Sequence, residues 1–148
     1  MPGYYPPVGF HFRVEVLDLS SGDNDMRFTE VGGLSLEVGT EEVAEGGENR
    51  FIQKYPTRVK YPELVLKRGL LVDSAVRDWI QRCIERLQIE PKDVDVTLLN
   101  DEHQPLLTWH LVKAYPTKWG VSDLNASNNA VVVESLQLFY QYFTLDRS

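Results

Sequence analysis

Cysteine is almost missing from this chain: Cys83 is the only one, so no disulfide can form within it. Positive charge is also short. Lys and Arg number 15 against 22 Asp and Glu, a formal net charge of -7. That balance argues against sequence-independent nucleic-acid binding, which takes a basic face to neutralise phosphates. No apolar run approaches the ~18 residues of a membrane-spanning helix, so no membrane insertion is expected. The opening MPGYYPPVGF has neither the basic start nor the apolar core of a secretory leader, and the chain is expected to stay at first in the cytoplasm.

Catalytic and metal-binding motifs are lacking too. His11, His103 and His110 are scattered, and no HExxH places two imidazoles on one helical face. Gly32-Gly33 and Gly46-Gly47 have neither the glycine spacing nor the following helix of a phosphate-binding loop. No GxSxG elbow presents a serine nucleophile. Glu41, Glu42, Glu45 and Glu48 do not follow the ligand spacing of a calcium loop and read as a solvated charge run. No catalytic, cofactor-binding or metal-binding residue is expected. Trp79 and Trp109 fit core packing better than ligand stacking.

What is present is one well-patterned helix among strands. Val76, Trp79, Ile80, Cys83, Ile84 and Leu87 recur at helical spacing and form one apolar stripe. The helix is expected over about 73–89, capped by Asp73 and unable to continue through Pro91. Asp78 precedes Arg82 by four residues, the favourable order for a surface pair. On this stripe Cys83 is expected to be a buried, unreactive thiol.

Elsewhere the period is two. Phe10, Phe12, Val14 and Val16 alternate with polar residues, as do Leu34, Leu36 and Val38. Gly32-Gly33 within a strand marks a bulge or the close approach of another backbone. Residues 93–98 and 107–112, joined by the turn Asn100–Gln104, read as a hairpin. Ala114–Trp119 is expected to leave the sheet at Pro116, which has no amide proton to give. Val131–Leu145 is the longest strand-like run, with apolar residues on both faces near its end.

Residues 39–62 form the odd region, expected as a long extended loop. Glu41, Glu42, Glu45 and Glu48 make its first half acidic; Arg50, Lys54 and Arg58 make its second half basic, with Phe51 and Tyr55 interleaved. A loop of that length in a compact domain is commonly functional, and its apolar residues suit an arm inserted between neighbouring subunits. These nine residues are the expected inter-subunit contacts. From the residues alone, the chain is a single domain over 1–148 with an extended N-terminal arm over 1–8. It is mainly β, a barrel or sandwich with one helix, and suited to work through surfaces more than catalysis.

Several stretches, in order, resemble a known family. Phe28-Thr29-Glu30-Val31-Gly32-Gly33-Leu34 looks like the F-x-x-V-x-G-L opening of tail-tube proteins from contractile phage tails and phage-tail-like injection systems. Leu66-Lys67-Arg68-Gly69 with Asp78-Trp79-Ile80 resembles that family's passage from strand to helix. Leu98-Leu99-Asn100-Asp101-Glu102 with Thr108-Trp109 is similar to its hairpin, and Ala114-Tyr115-Pro116-Thr117-Lys118-Trp119 to its A-x-P-T-K corner. Ser122-Asp123-Leu124-Asn125-Ala126 and Val133-Glu134-Ser135-Leu136 resemble its last segment. The resemblance spans about Phe10 to Leu138. Tyr4-Tyr5-Pro6-Pro7-Val8 and the aromatic Phe139-Tyr140-Gln141-Tyr142-Phe143 depart from it.

The resemblance implies a β-barrel of two antiparallel sheets flanked by one helix, without enzymatic activity. It implies homo-hexameric rings that stack into a hollow tube inside a contractile sheath, with baseplate and spike proteins as further partners. An ordinary tube subunit and a spike-proximal initiator ring both fit, and the cargo is DNA or protein. A different class also stays open: a monomeric β module that binds through Tyr and Trp.

Overall fold

The computed structural model describes residues 11–19, 22–44, 52–124, 126–127 and 131–147. The expected arm over 1–8, the Gly46-Gly47 pair, and Glu45, Glu48, Arg50 and Phe51 lie outside the described residues. In chain order the elements are β1 (His11–Val16), a 3-10 turn (Asp23–Met26), β2 (Arg27–Phe28), β3 (Glu30–Gly32), β4 (Glu37–Ala44), β5 (Ile52–Lys60) and β6 (Leu64–Gly69). There follow α1 (Ala75–Glu85), β7 (Lys92–Leu99), β8 (Pro105–Val121), β9 (Val133–Phe139) and β10 (Tyr142–Arg147).

Alternation in the sequence becomes a buried and an exposed face. β1 buries Val14 and Val16 and exposes His11, Arg13 and Glu15. β7 and β8 form the expected hairpin, with Val94 opposite Leu111 and Val96 opposite Trp109. Its turn is closed by the Asn100 side chain, whose Oδ1 accepts from the amides of Glu102 and Gln104 at 2.9 and 2.8 Å.

The long β8 belongs to two antiparallel sheets. Its first half pairs with β7 on one edge and β10 on the other; its second half pairs with β9. The chain therefore does not leave the sheet at Ala114–Trp119, as its proline suggests. Lys113 takes a φ of 52°, the ladder slips between Pro116 and Lys118, and the strand passes from one sheet into the other. A bulge is the place where a residue without an amide proton costs least. On the opposite side, β2 pairs with β1 and β3 pairs with β6. Between them, the Thr29 amide donates to Lys67 O at 2.9 Å. The two sheets thus join at both borders and close a barrel.

The run from Val131 to Leu145 is one strand broken once. β9 and β10 lie along β8 in the same direction, Phe139 opposite Tyr115 and Tyr142 opposite Val112. The break at Tyr140–Gln141 shifts which parity points inward. Leu136, Leu138, Tyr140 and Phe143 are buried, while Tyr142 is exposed. That shift explains why both faces of the run are apolar near its end.

The helix is shorter than expected at both ends. Its N-cap is Ser74, not Asp73: the Ser74 hydroxyl accepts from the Arg77 amide at 3.1 Å. At the other end Leu87 turns left-handed with a φ of 52°, and the Gln88 amide donates back to Arg82 O. Val76, Trp79, Ile80 and Cys83 are buried and join one core with residues of both sheets. Ile84 at 37% and Leu87 at 82% exposure do not, because the stripe runs past the barrel and the helix ends before it closes a further turn. Arg82 reaches Glu90 at 3.5 Å in place of the surface pairing expected with Asp78.

Within the expected loop, residues 39–44 and 52–60 are strands. β4 and β5 pair in an antiparallel ribbon, Glu37 opposite Lys60, Glu41 opposite Tyr55 and Glu42 opposite Lys54. Glu37 and Lys60 thus stand at directly opposite positions, the favourable placement for cross-strand charges. Pro56 sits opposite Thr40, next to a slip in the ladder between Val38 and Thr40.

Gly33 is where two backbones meet. Its φ is 91°, and a Cβ built there would lie 2.2 Å from Glu63 O. The expected outcome for Gly33→Ala is a loss of more than ~1 kcal/mol, since both the left-handed conformation and the contact disfavour a side chain. Urea unfolding checks it; an unchanged midpoint would show that the approach relaxes freely.

Candidate assembly surfaces

The β4–β5 ribbon packs on itself and on no other element to a comparable extent. An isolated two-stranded ribbon is marginal in water and needs cover. This one exposes apolar side chains: Leu36 at 57%, Val38 at 46%, Tyr55 at 46% and Val59 at 44%. Val38 stands opposite Val59 on one face; the slip between Val38 and Thr40 puts Tyr55, opposite Glu41, on the other face. Lys60, opposite Glu37, lies on the same face as Tyr55. Of the nine expected contact residues, the ribbon carries Glu41, Glu42, Lys54, Tyr55 and Arg58.

A second surface is an open strand edge. Among the described residues, β10 pairs with β8 alone, so its outer edge presents unpaired backbone groups. Phe139 and Tyr142 are exposed beside it.

A third is the barrel rim where β6 and β8 end and β9 begins. The Leu70 amide donates to Val132 O, and the Ser122 amide to Val133 O. Leu70, Val72, Leu124 and Val131 project there, Val72 at 90% exposure.

Behind that rim lies a buried charge network that the sequence hides. Arg68 Nε donates to Glu134 Oε2 at 2.9 Å, its Nη1 pairs with Asp25 Oδ1 at 2.9 Å, and its Nη2 donates to Ser74 Oγ at 2.9 Å. Ser74 Oγ donates to Asp25 Oδ1 at 2.6 Å, and Asp25 Oδ2 accepts from the first helical amides, those of Ala75 and Val76. A carboxylate at a helix N-terminus also complements the helix dipole. Trp119 Nε1 donates to Glu134 Oε1 at 2.8 Å, and Arg77 approaches the same oxygen at 3.5 Å. Arg77 further donates to the carbonyls of Leu71 and Val72. The one sequence signal was Glu134, an acid on the apolar parity of Val132, Leu136 and Leu138.

The histidines serve strands and turns. His11 and His103 stack with centroids 5.0 Å apart. His110 sits between Asp95, which bonds its Nδ1, and Asp93, 3.4 Å from its Nε2. The Asp95 hydrogen bond leads in raising its pKa above 6.5, against desolvation. Its stabilising contribution is complete below the unfolded value and fades as pH rises through the raised native one. Burial, with Tyr61 nearby, pushes the Tyr140 hydroxyl up to about 12. Among the described residues no three metal-ligating side chains gather. Trp79 is fully buried and Trp109 packs against the core.

The family model described as T4-like virus tail tube protein gp19 matches residues 8–144. A chain in the anti-feeding prophage (AFP) baseplate structure is 28% identical with a TM-score of 0.83, covering 99% of this chain and 98% of that one. A chain of the extended PVC sheath-tube complex, an extracellular contractile injection system, is 26% identical with a TM-score of 0.79, covering 99% of this chain and 95% of that one. Hcp1 from Flavobacterium johnsoniae shares the fold at a TM-score of 0.60 and 14% identity, covering 93% of this chain and 96% of that one. No curated protein matches the chain by sequence.

Proposed function

Because the chain belongs to the T4-like virus tail tube protein gp19 family, we propose that it is a structural, non-enzymatic subunit of the inner tube of a contractile injection system. Six copies form a ring, rings stack head to tail, and the central channel carries DNA or protein cargo. The observation that carries this reading is the β4–β5 ribbon, which packs on no other described element to a comparable extent and leaves Val38 and Val59 exposed. A neighbouring copy covers them, and the open edge of β10 suits strand pairing within a ring. Such contacts are heterologous: rotation closes the ring and translation extends the tube. The subunit assembles in the cytoplasm into a phage-tail-like particle, beside sheath and baseplate proteins.

A second reading, a ring at the spike-proximal end of the tube, is supported by the likeness to a chain of the AFP baseplate structure. Solution mass and negative-stain microscopy, with and without a preformed baseplate–spike complex, test both. Six-fold rings or tubes are expected. A single ring that stops on the spike would favour the initiator, and a chain still monomeric beside the seed would favour a monomeric binding module.

Reversing Glu41, Glu42, Glu45 and Glu48 to lysine together is expected to abolish tube formation. The barrel should melt as before, because the ribbon packs apart from it. Normal tubes from this variant would remove the ribbon's acidic half from the assembly contact.

A further inference from the structure

We propose that Arg13 and Arg27 form a binding site for a phosphate group, free or carried on an organic monoester. The inference goes beyond the tube-subunit reading and does not depend on it. Arg13 of β1 and Arg27 of β2 stand directly opposite each other in the ladder, and both are exposed. Opposed residues share a face, so two guanidinium groups meet there. Like charges in that register destabilise a strand pair, and an anion held between them removes the penalty. Among the described residues the Arg13 side chain has one hydrogen-bond partner, Met26 Sδ at 3.7 Å. A thioether is a weak acceptor. Arg27 has no side-chain partner among the described residues. The row continues across the sheet: Arg13 faces Thr97 of β7, and Thr97 faces Thr108 of β8, their hydroxyls 3.4 Å apart. Donors thus line up over four strands spaced by about 4.8 Å. These four side chains line a groove of about 890 Å³, walled by His11 and His103, whose rings stack at 5.0 Å.

The other charges around the groove decide what it takes. Asp95 lines it too, but its carboxylate is bound to His110. Arg68 lines it with a guanidinium committed to Glu134 and Asp25. Glu15, two residues along β1 from Arg13 and on the same face, is the remaining carboxylate there. Two uncommitted guanidinium groups against one carboxylate make a cationic spot on a chain of net charge -7. Each guanidinium presents paired N–H donors that match two oxygens of one anion. A tetrahedral dianion has oxygens for both forks and one left for the Thr97 hydroxyl. A monocarboxylate, with two oxygens and one charge, satisfies a single fork. A long polyanion would meet the acidic remainder of the chain, so an isolated phosphate group is the better fit.

The test is calorimetric titration of the full-length chain with inorganic phosphate and, separately, with phenyl phosphate. Ionic strength is held constant with chloride, so that screening is equal throughout. Saturable binding at one site per chain is expected. Arg13→Gln and Arg27→Gln, both at exposed positions, should each weaken it at least tenfold. Without phosphate, Arg27→Gln should melt no lower than the unsubstituted chain, because it relieves the opposed charges; with phosphate, only the unsubstituted chain should gain in Tm. Tighter binding of phenyl phosphate would support the site and assign the group to an organic monoester. Tighter binding of inorganic phosphate would support it and assign the free ion. Heats no different from those of chloride would overturn the site, as would binding that survives both substitutions or acetate binding as tightly as phosphate. Ring and tube formation do not enter this readout, so its failure leaves the tube-subunit reading intact.

Discussion

Arg68→Met is expected to cost roughly 3–5 kcal/mol of folding stability, the range for removing one partner from a buried ion pair. Arg68 is 2% exposed and bridges Glu134, 0% exposed, and Asp25, 6% exposed. Without its guanidinium, two buried carboxylates lose the cation they share, and Asp25 loses a group that pairs with it beside the helix amides. Most of the penalty comes from the charges left behind, not from the attraction lost. The double variant Arg68→Met/Glu134→Leu should therefore be less destabilised than the sum of the two single changes. Chemical unfolding of the four chains gives the coupling directly. Additive losses would mean that the pair is solvated in the native state.

Trp79→Ala is expected to cost about 3–5 kcal/mol, as for other buried aromatics. The indole is fully buried, sits in the core shared by the helix and both sheets, and donates from Nε1 to Glu90 O at 2.9 Å. The substitution opens a cavity between helix and barrel and leaves that carbonyl without its donor. Leu87→Ala is the control: at 82% exposure it should shift stability by no more than ~0.5 kcal/mol. Equal effects at the two positions would mean that the helix is rotated or longer in solution.

Those two positions also show how far the sequence could be read. Helical spacing placed Trp79 and Leu87 on one stripe, and the stripe is real over Val76 to Cys83. What periodicity cannot show is where the barrel stops, so Ile84 and Leu87 continue the pattern into solvent. Gly32-Gly33 was legible because a close backbone approach leaves few residue choices, and Gly33 meets Glu63. The hairpin over 93–112 was legible because alternation and a turn sequence agree locally. Strand β8 was harder: Pro116 breaks a ladder in isolation, yet a bulge at the sheet border absorbs it. The ribbon of 37–44 and 52–60 read as a loop since its cross-strand register, Glu37 opposite Lys60 among others, exists only once the strands pair. The buried network joins Asp25, Arg68, Ser74 and Glu134, and no local pattern links positions so far apart.

The strand order also fixes when the subunit can become itself. β1 finds its main partner in β7, and β6 in β9, so the first half of the chain pairs within itself only through the short β2 and β3 and the β4–β5 ribbon. On a ribosome, the early product holds one local ribbon, β4–β5, marginal by itself, and a set of strands awaiting mates not yet synthesised. Pairing across such distances is slow, on the order of milliseconds to seconds for β-rich domains. The rim depends on β9, because Leu70 bonds to Val132 and Arg77 reaches Glu134. An unfinished chain therefore carries its ribbon but not the rim. The order of synthesis acts as a checkpoint: only a chain translated through β9 and β10 can close the barrel and complete its rim.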